Sequence, residues 1–208
     1  MIPNSSGFVQ ALFPSTMWNM PNNTVSLTFD DGPHPHSTPR VFETLQSYGI
    51  KGTFFFLGSH VAQYPEIARE ASRLGNTIGN HSYDHSLLFF RSGQFVLRQI
   101  TQGAQQILDA TRTTSTLFRP PYGYFRPTLL KTLELTGHKL VMWSLDSQDW
   151  RNQPARVVSE RIIQKVRPGS IILLHDNENT VDKIVDILKR ALDSLLPTFK
   201  FSPLSHDR

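Results

Sequence analysis

The feature that most limits what this chain can fold into is a repeated alternation of short apolar runs with segments of helical spacing. The runs are VSLTF (25–29), GTFFFL (52–57), NTIGN (76–80), TLFRP (116–120), KLVMWSL (139–145), SIILL (170–174) and, more weakly, FKFSPL (199–204). Between them Val41, Leu45 and Tyr48 fall on one helical face, as do Ile100, Ala104, Ile107 and Leu108. Val181, Ile184, Val185, Leu188 and Leu192 make a third such stripe. Four helical segments open near Pro39, Pro65, Pro127 and Pro154, where a missing N–H costs a helix nothing. About seven βα units imply an α/β fold with a mostly parallel sheet and right-handed crossovers. Such a sheet is either open and doubly wound or closed into a barrel. An eight-stranded barrel uses about 250 residues, so this chain would make a short or incomplete one, and the pattern leans that way. The 208 residues suit one domain spanning 1–208, not two.

Composition excludes several function classes. No window approaches the roughly 18 to 20 apolar residues of a membrane span. The stretch MIPNSSGFVQALFPSTMWNM has no basic n-region and is broken by Gln10, Pro14 and Asn19, so it reads as a poor secretory signal and points to the cytoplasm. There are no cysteines, which removes disulfides, thiolate zinc sites and cysteine nucleophiles; any metal must be held by His and carboxylates. The net charge of +4 comes from scattered Lys and Arg with no run longer than two, which argues against nucleic-acid binding. Nothing indicates a protein partner.

The unusual polar residues gather at one side of the strands. VSLTF runs into Asp30-Asp31-Gly32-Pro33, NTIGN into His81-Ser82-Tyr83-Asp84-His85, and TLF into Arg119-Pro120-Pro121-Tyr122-Gly123. KLVMWSL is followed by Asp146-Ser147-Gln148-Asp149-Trp150 and SIILL by His175-Asp176. Parallel α/β folds bring all such strand ends to one face, where their active sites lie. Taken singly, each cluster has a plainer reading. Asp-Gly-Pro is a common turn, and an isolated H-x-x-x-H pair is usually solvent-exposed. Adjacent aspartates leaving a buried strand, however, repel each other unless a cation or proton intervenes. Two imidazoles four residues apart in a helical turn can share one ion, and a nearby carboxylate would complete a three-ligand set with an open position, the pattern of a catalytic metal. His175 leaves its strand on the same face, with Asp149 available to orient its ring. Arg119 reads as a buried guanidinium beside the aspartates. The other histidines (His34, His36, His60, His138 and His206) read as surface or turn residues.

The segments TFDDGP, HSYDH, RPPYG, DSQDW and LLHD, in that order between Thr28 and Asp176, resemble the motifs of polysaccharide deacetylases of carbohydrate esterase family 4, the NodB-homology domain, with core motifs across 25–176. The resemblance implies a distorted (β/α) barrel of about seven parallel strands with outer helices, and removal of N-acetyl groups from N-acetylglucosamine units of a chitooligosaccharide or peptidoglycan. It implies that Asp31, His81 and His85 hold a divalent metal, usually zinc with cobalt and others accepted, and that Asp30 is the catalytic base. It further implies that the Tyr122 backbone N–H serves the oxyanion, that His175 paired with Asp149 is the acid, and that Trp150 and Leu173 wall the acetyl pocket. Arg119 would tune Asp30, with Lys51 a lesser candidate for that duty. A base and a protonated acid needed together imply a bell-shaped pH profile. The rival readings are an acetylxylan or other C–N or ester hydrolase on the same scaffold, and a non-catalytic carbohydrate-binding relative.

Overall fold

The computed structural model describes residues 11–20 and 24–205. His206 and the first ten residues of the N-terminal stretch weighed as a leader therefore lie outside the described residues. Seven parallel strands curl into one sheet: β1 (Ser26–Asp30), β2 (Thr53–Phe56), β3 (Thr77–Asn80), β4 (Leu117–Phe118), β5 (Lys139–Leu140), β6 (Leu145–Asp146) and β7 (Ile171–His175). Around them lie α1 (Ser37–Ser47), α2 (Gly58–Gln63), α3 (Pro65–Arg73), α4 (Gly93–Thr111), α5 (Pro127–Leu135), α6 (Ala155–Lys165) and α7 (Ile184–Leu195). This is the distorted (β/α) barrel expected, with the strand order β5-β4-β3-β2-β1-β7-β6. No helix of the described residues is long and apolar enough to cross a membrane.

The count of seven is reached differently from the sequence reading. KLVMWSL forms two short strands instead of one. Its first residues pair with β4, Leu117 to Lys139 and Phe118 to Leu140, while Leu145 and Asp146 pair with Ile172 and Leu173 of β7. The two outer strands of the sheet are thus consecutive in the chain, and residues 139–146 span the gap that an open sheet would leave. The middle of this segment is tied down by the Val141 N–H to the Phe118 carbonyl at 2.8 Å, and by the Met142 N–H to Met17 O at 2.9 Å. FKFSPL contributes only an isolated bridge between Val25 and Phe201.

Alternation along the strands sorts side chains between two cores. Leu27, Phe29, Phe54, Phe56, Ile172 and Leu174 face outward under the helices. Phe55, Phe118, Ile171 and Leu173 face inward with Trp143. Both faces are buried, which is why these runs are apolar without interruption. The helical stripes hold in their centres: Val41, Leu45, Ile100, Ile107, Ile184, Leu188 and Leu192 are buried, whereas Tyr48, Ala104, Leu108, Val181 and Val185 are half-buried and Val181 precedes α7. Pro65 and Pro127 are first residues of their helices, Pro154 is an N-cap and Pro39 sits two residues inside α1. Gly79 lies against a neighbouring side chain; a Cβ there would lie 2.4 Å from the Phe55 ring.

Candidate metal centre and active site

The strand register does the first part of the positioning. Asp30, the last residue of β1, is the direct neighbour of His175, the last residue of β7. Asn80 ends β3 opposite Phe118 of β4, so His81 and Arg119 follow side by side. Asp31, His81, His85, Tyr122, Trp150, Leu173 and His175 then line one cleft of about 420 Å³ with Asp30, Tyr124, Trp143, Asp146 and Asn177. Five strand-end clusters separated in sequence share a single cavity.

Asp31, His81 and His85 offer ligand atoms within 4.8 Å of one another. The Asp31 Oδ1 lies 3.5 Å from His81 Nε2 and 3.2 Å from His85 Nε2. That oxygen is buried and has no hydrogen-bond partner, an arrangement that costs free energy unless a cation completes it. The His81 ring donates from Nδ1 to the Arg119 carbonyl at 2.7 Å, which leaves Nε2 as a lone pair facing Asp31. Asn177 Nδ2 donates to the other Asp31 oxygen at 2.8 Å, and His60 Nδ1 bonds the Asp31 carbonyl at 2.8 Å. Burial alone would raise the Asp31 carboxyl; the two imidazoles outweigh it and hold the group well below the usual carboxylate range. The donor set, two imidazoles and an ionised carboxylate with an orphaned lone pair, fits a divalent cation with an open coordination position.

The segment carrying the two histidines is not the helical turn expected from their spacing. Ser82 and His85 have φ of 74° and 62°, and the loop is built from outside. Asn80 donates to the Ile100 carbonyl at 2.8 Å and accepts from the Ser82 N–H at 2.9 Å. Gln99 of α4 accepts from the Tyr83 and Asp84 N–H groups. The histidines converge because a fixed loop aims them, with ring centroids 5.1 Å apart. Among the described residues six non-glycine positions have positive φ: Asp31, Ser82, His85, Arg112, Tyr122 and Gln148. Asp31, His85 and Tyr122 line the cleft, Ser82 and Gln148 lie in the loops that carry His81, His85 and Trp150, and Arg112 is a helix C-cap; backbone held in such sparsely populated regions clusters at functional sites.

Asp30 is buried behind this triad, with Oδ2 3.8 Å from His81 Nε2. Arg119 is fully buried. Its Nη1 donates to Asp30 Oδ1 at 2.7 Å and to Thr28 Oγ1 at 2.8 Å, and its Nη2 donates to the Met142 carbonyl at 3.0 Å. The guanidinium plane rests 4.1 Å over the Phe55 ring. Burial pushes Arg119 below its ordinary value, while Asp30 opposes that shift. Lys51, the lesser candidate for this duty, is exposed before the opposite end of β2 and takes no part.

Across the cleft His175 Nδ1 bonds Asp149 Oδ1 at 2.8 Å, and the His175 N–H donates to Asp149 Oδ2 at 2.7 Å. Burial would lower the His175 pKa, but the charge and hydrogen bond of Asp149 dominate together, helped by Asp31 and Asp30, and push it up to about 10. Tyr122 has φ of 61° and packs its ring edge-on to His85 at 4.5 Å. Trp150 is half exposed at the rim, whereas Leu173 is buried at the floor. Of the site residues read from the motifs all but Arg119 and Asp149 line this cleft, and those two, fully buried, bond Asp30 and His175 from behind it. Sequence reasoning missed Asn177 and Thr28, whose types carry no signal without the fold, and read His60 as a surface or turn residue although its half-buried ring bonds the Asp31 carbonyl. It also assigned nothing to Asp176, a buried carboxyl pushed well above its ordinary value by burial and bonded by the Thr38 hydroxyl at 2.5 Å.

Residues 18–141 match the family model described as polysaccharide deacetylase. The peptidoglycan-N-acetylglucosamine deacetylase PgdA of Listeria monocytogenes is 35% identical over 173 residues, covering 83% of this chain and 36% of the relative. The chain thus spans about a third of that protein's length. The chitooligosaccharide deacetylase of Azorhizobium caulinodans is 40% identical over 156 residues, covering 74% of each. The crystal structure of the Bc1960 peptidoglycan N-acetylglucosamine deacetylase superposes with a TM-score of 0.90 at 28% identity, over 98% of this chain and 100% of the other. With the curled seven-stranded sheet and the assembled cleft, these likenesses show that the chain belongs to the polysaccharide deacetylase family.

Proposed function

We propose that the protein is a metal-dependent hydrolase that removes N-acetyl groups from N-acetylglucosamine-containing glycans. The observation that carries this reading is the unpartnered Asp31 Oδ1 facing His81 and His85, with a buried carboxylate and a protonated imidazole on either side. The relatives named for peptidoglycan and chitooligosaccharide deacetylation support it.

Asp31, His81 and His85 would hold the cation, zinc as the family resemblance implies, with cobalt and other divalent ions also compatible with two imidazoles and a carboxylate. When bound there, such an ion polarises an acyl oxygen and lowers the pKa of water from about 15.7 towards 7. Asp30, fixed by Arg119 and held off the ligand set, takes the proton from the attacking water. A positioned base of this kind contributes about 10² to 10⁴ in rate. The Tyr122 N–H donates to the oxygen that gains charge, and one such donor is worth about 10² to 10³. The amine must leave protonated, because its anion is far too basic. His175, charged below about pH 10, supplies that proton to the departing nitrogen and is left as the neutral imidazole, its ring kept oriented by Asp149. Leu173 and Trp150 border the space beside these groups, suited to the acetyl methyl.

Acetate release from chitopentaose and from peptidoglycan, measured with zinc and after exhaustive chelation, tests the reading. Zinc-dependent release from one or both is the expected result. No release from either substrate, or full release by protein verified to be metal-free, would overturn it.

A further inference from the structure

From the wall of the cleft a line of aromatic rings in mutual contact leads outward to the surface. Tyr124 lines it, and its ring stands edge-on to Phe89, centroids 6.4 Å apart. Phe89 meets Phe90 at 5.0 Å, and Phe90 is 74% exposed. Arg126 lies 5.1 Å over the Phe89 ring and 5.9 Å over the Phe90 ring, so a cation is fixed beside the outermost aromatic. The surroundings are basic as well. Residues 85–108 contain Arg91 and Arg98, and residues 120–133 contain Arg126 and Lys131, with no Asp or Glu in either stretch. None of the three exposed arginines forms an ion pair with a carboxylate among the described residues.

An aromatic ring held open to water offers a flat apolar surface at little conformational cost, and the C–H face of a pyranose is the apolar side of a sugar. A guanidinium recognises carboxylates through paired N–H donors. We propose that Tyr124, Phe89, Phe90 and Arg126 form a remote glycan subsite, which stacks a sugar beyond the acetylated one on Phe90 and pairs a carboxylate of that glycan with Arg126. The occupant is a glycan strand whose sugars carry carboxylate-bearing substituents; continuity with the cleft through Tyr124 and the one-signed charge favour it over a neutral chain. This subsite rests on the deacetylase reading above. Its contacts lie away from the reacting atoms, so they strengthen ground state and transition state alike and act on KM, not kcat.

Phe90→Ala and Arg126→Gln, zinc-loaded, are compared with the unaltered protein on chitobiose, chitopentaose and soluble peptidoglycan strands. Chitobiose turnover should stay within about twofold in both variants, since the proposal places Phe90 beyond the reach of a disaccharide. On the strands each change should raise KM about tenfold with kcat held, while Arg126→Gln leaves chitopentaose unaffected. Calorimetric binding of the same strands, repeated in an Asp30→Asn background, gives a reading independent of turnover. If no substrate yields acetate, the deacetylase reading falls, and strand binding alone decides the subsite. Unchanged strand binding and KM in both variants, equal losses on chitobiose, or an equal effect of Arg126→Gln on chitopentaose would each sink the proposal.

Discussion

At the scale of single residues, the chemistry rests on a few side chains whose neighbours have no freedom. Asp30→Asn keeps the shape of the base but removes its ability to take a proton. It should retain metal, as read by zinc content, and lose about 10² to 10⁴ in turnover, whereas His81→Ala should lose both. Asp149→Asn addresses the acid. His175 normally titrates near 6.5 and is pushed here to about 10, chiefly through Asp149 against the opposing effect of burial. The alkaline limb of the activity profile should therefore move to lower pH in the variant, and an unmoved limb would remove His175 as the proton donor. The same shift bears on stability. A group that holds its proton more tightly when folded stabilises fully below pH 6.5, and that contribution fades as the pH climbs to about 10. Gly79 is a further residue under constraint. A methyl group 2.4 Å from Phe55 would drive that ring against the Arg119 guanidinium stacked on it. Gly79→Ala should cost about 1–3 kcal/mol in thermal or urea unfolding, the usual cost of overpacking, and lower activity through Asp30.

At the scale of elements, the regular alternation was legible because it follows from burial on two faces. Leu27 and Phe29 belong under the helices while Thr28 and Asp30 turn inward, and both periodicities survive in the sequence. Two things were not legible. One was the division of 139–146, because whether a run pairs with one neighbour or two depends on sheet curvature, which no local pattern records. The other was the non-helical course of 81–85. There the H-x-x-x-H spacing suggested a turn of helix, yet Asn80 and Gln99 impose positive φ at Ser82 and His85 through bonds formed across 16 to 20 residues of chain. The motif's two histidines converge for a reason other than helical periodicity. A test of the closing segment is Val141→Pro, which removes the N–H bonded to the Phe118 carbonyl. Leaving that buried oxygen unpaired should cost about 1–3 kcal/mol, visible as a lower urea midpoint.

At the scale of the whole molecule, the cleft joins strand ends from five places in the chain, so metal binding and global stability are linked. A ligand that binds only the folded form adds about 2.7 kcal/mol at a hundred times its dissociation constant. Zinc should therefore raise the melting temperature of the unaltered protein and leave His81→Ala unmoved, and chelation should reverse the gain. The ion's arrival also offsets the negative charge of Asp31 that helps to lift His175. Metal-loaded protein should consequently titrate this histidine at lower pH than the metal-free form, which NMR of the imidazole can follow. What could be read at this scale without coordinates was the common destination of the motifs. Supporting residues such as Asn177 and Thr28 could not, since amides and hydroxyls occur everywhere and acquire a role only through proximity.

The two outermost strands belong to a single stretch of backbone, joined across residues 141–144. A protease cut there would leave each fragment holding one two-residue seam and would loosen both flanks of the mouth together. New termini placed on the outer helices would spare those seams. Rearranged or split versions of this protein should accordingly tolerate breaks around the circumference and fail at this one hinge, where the wall meets itself.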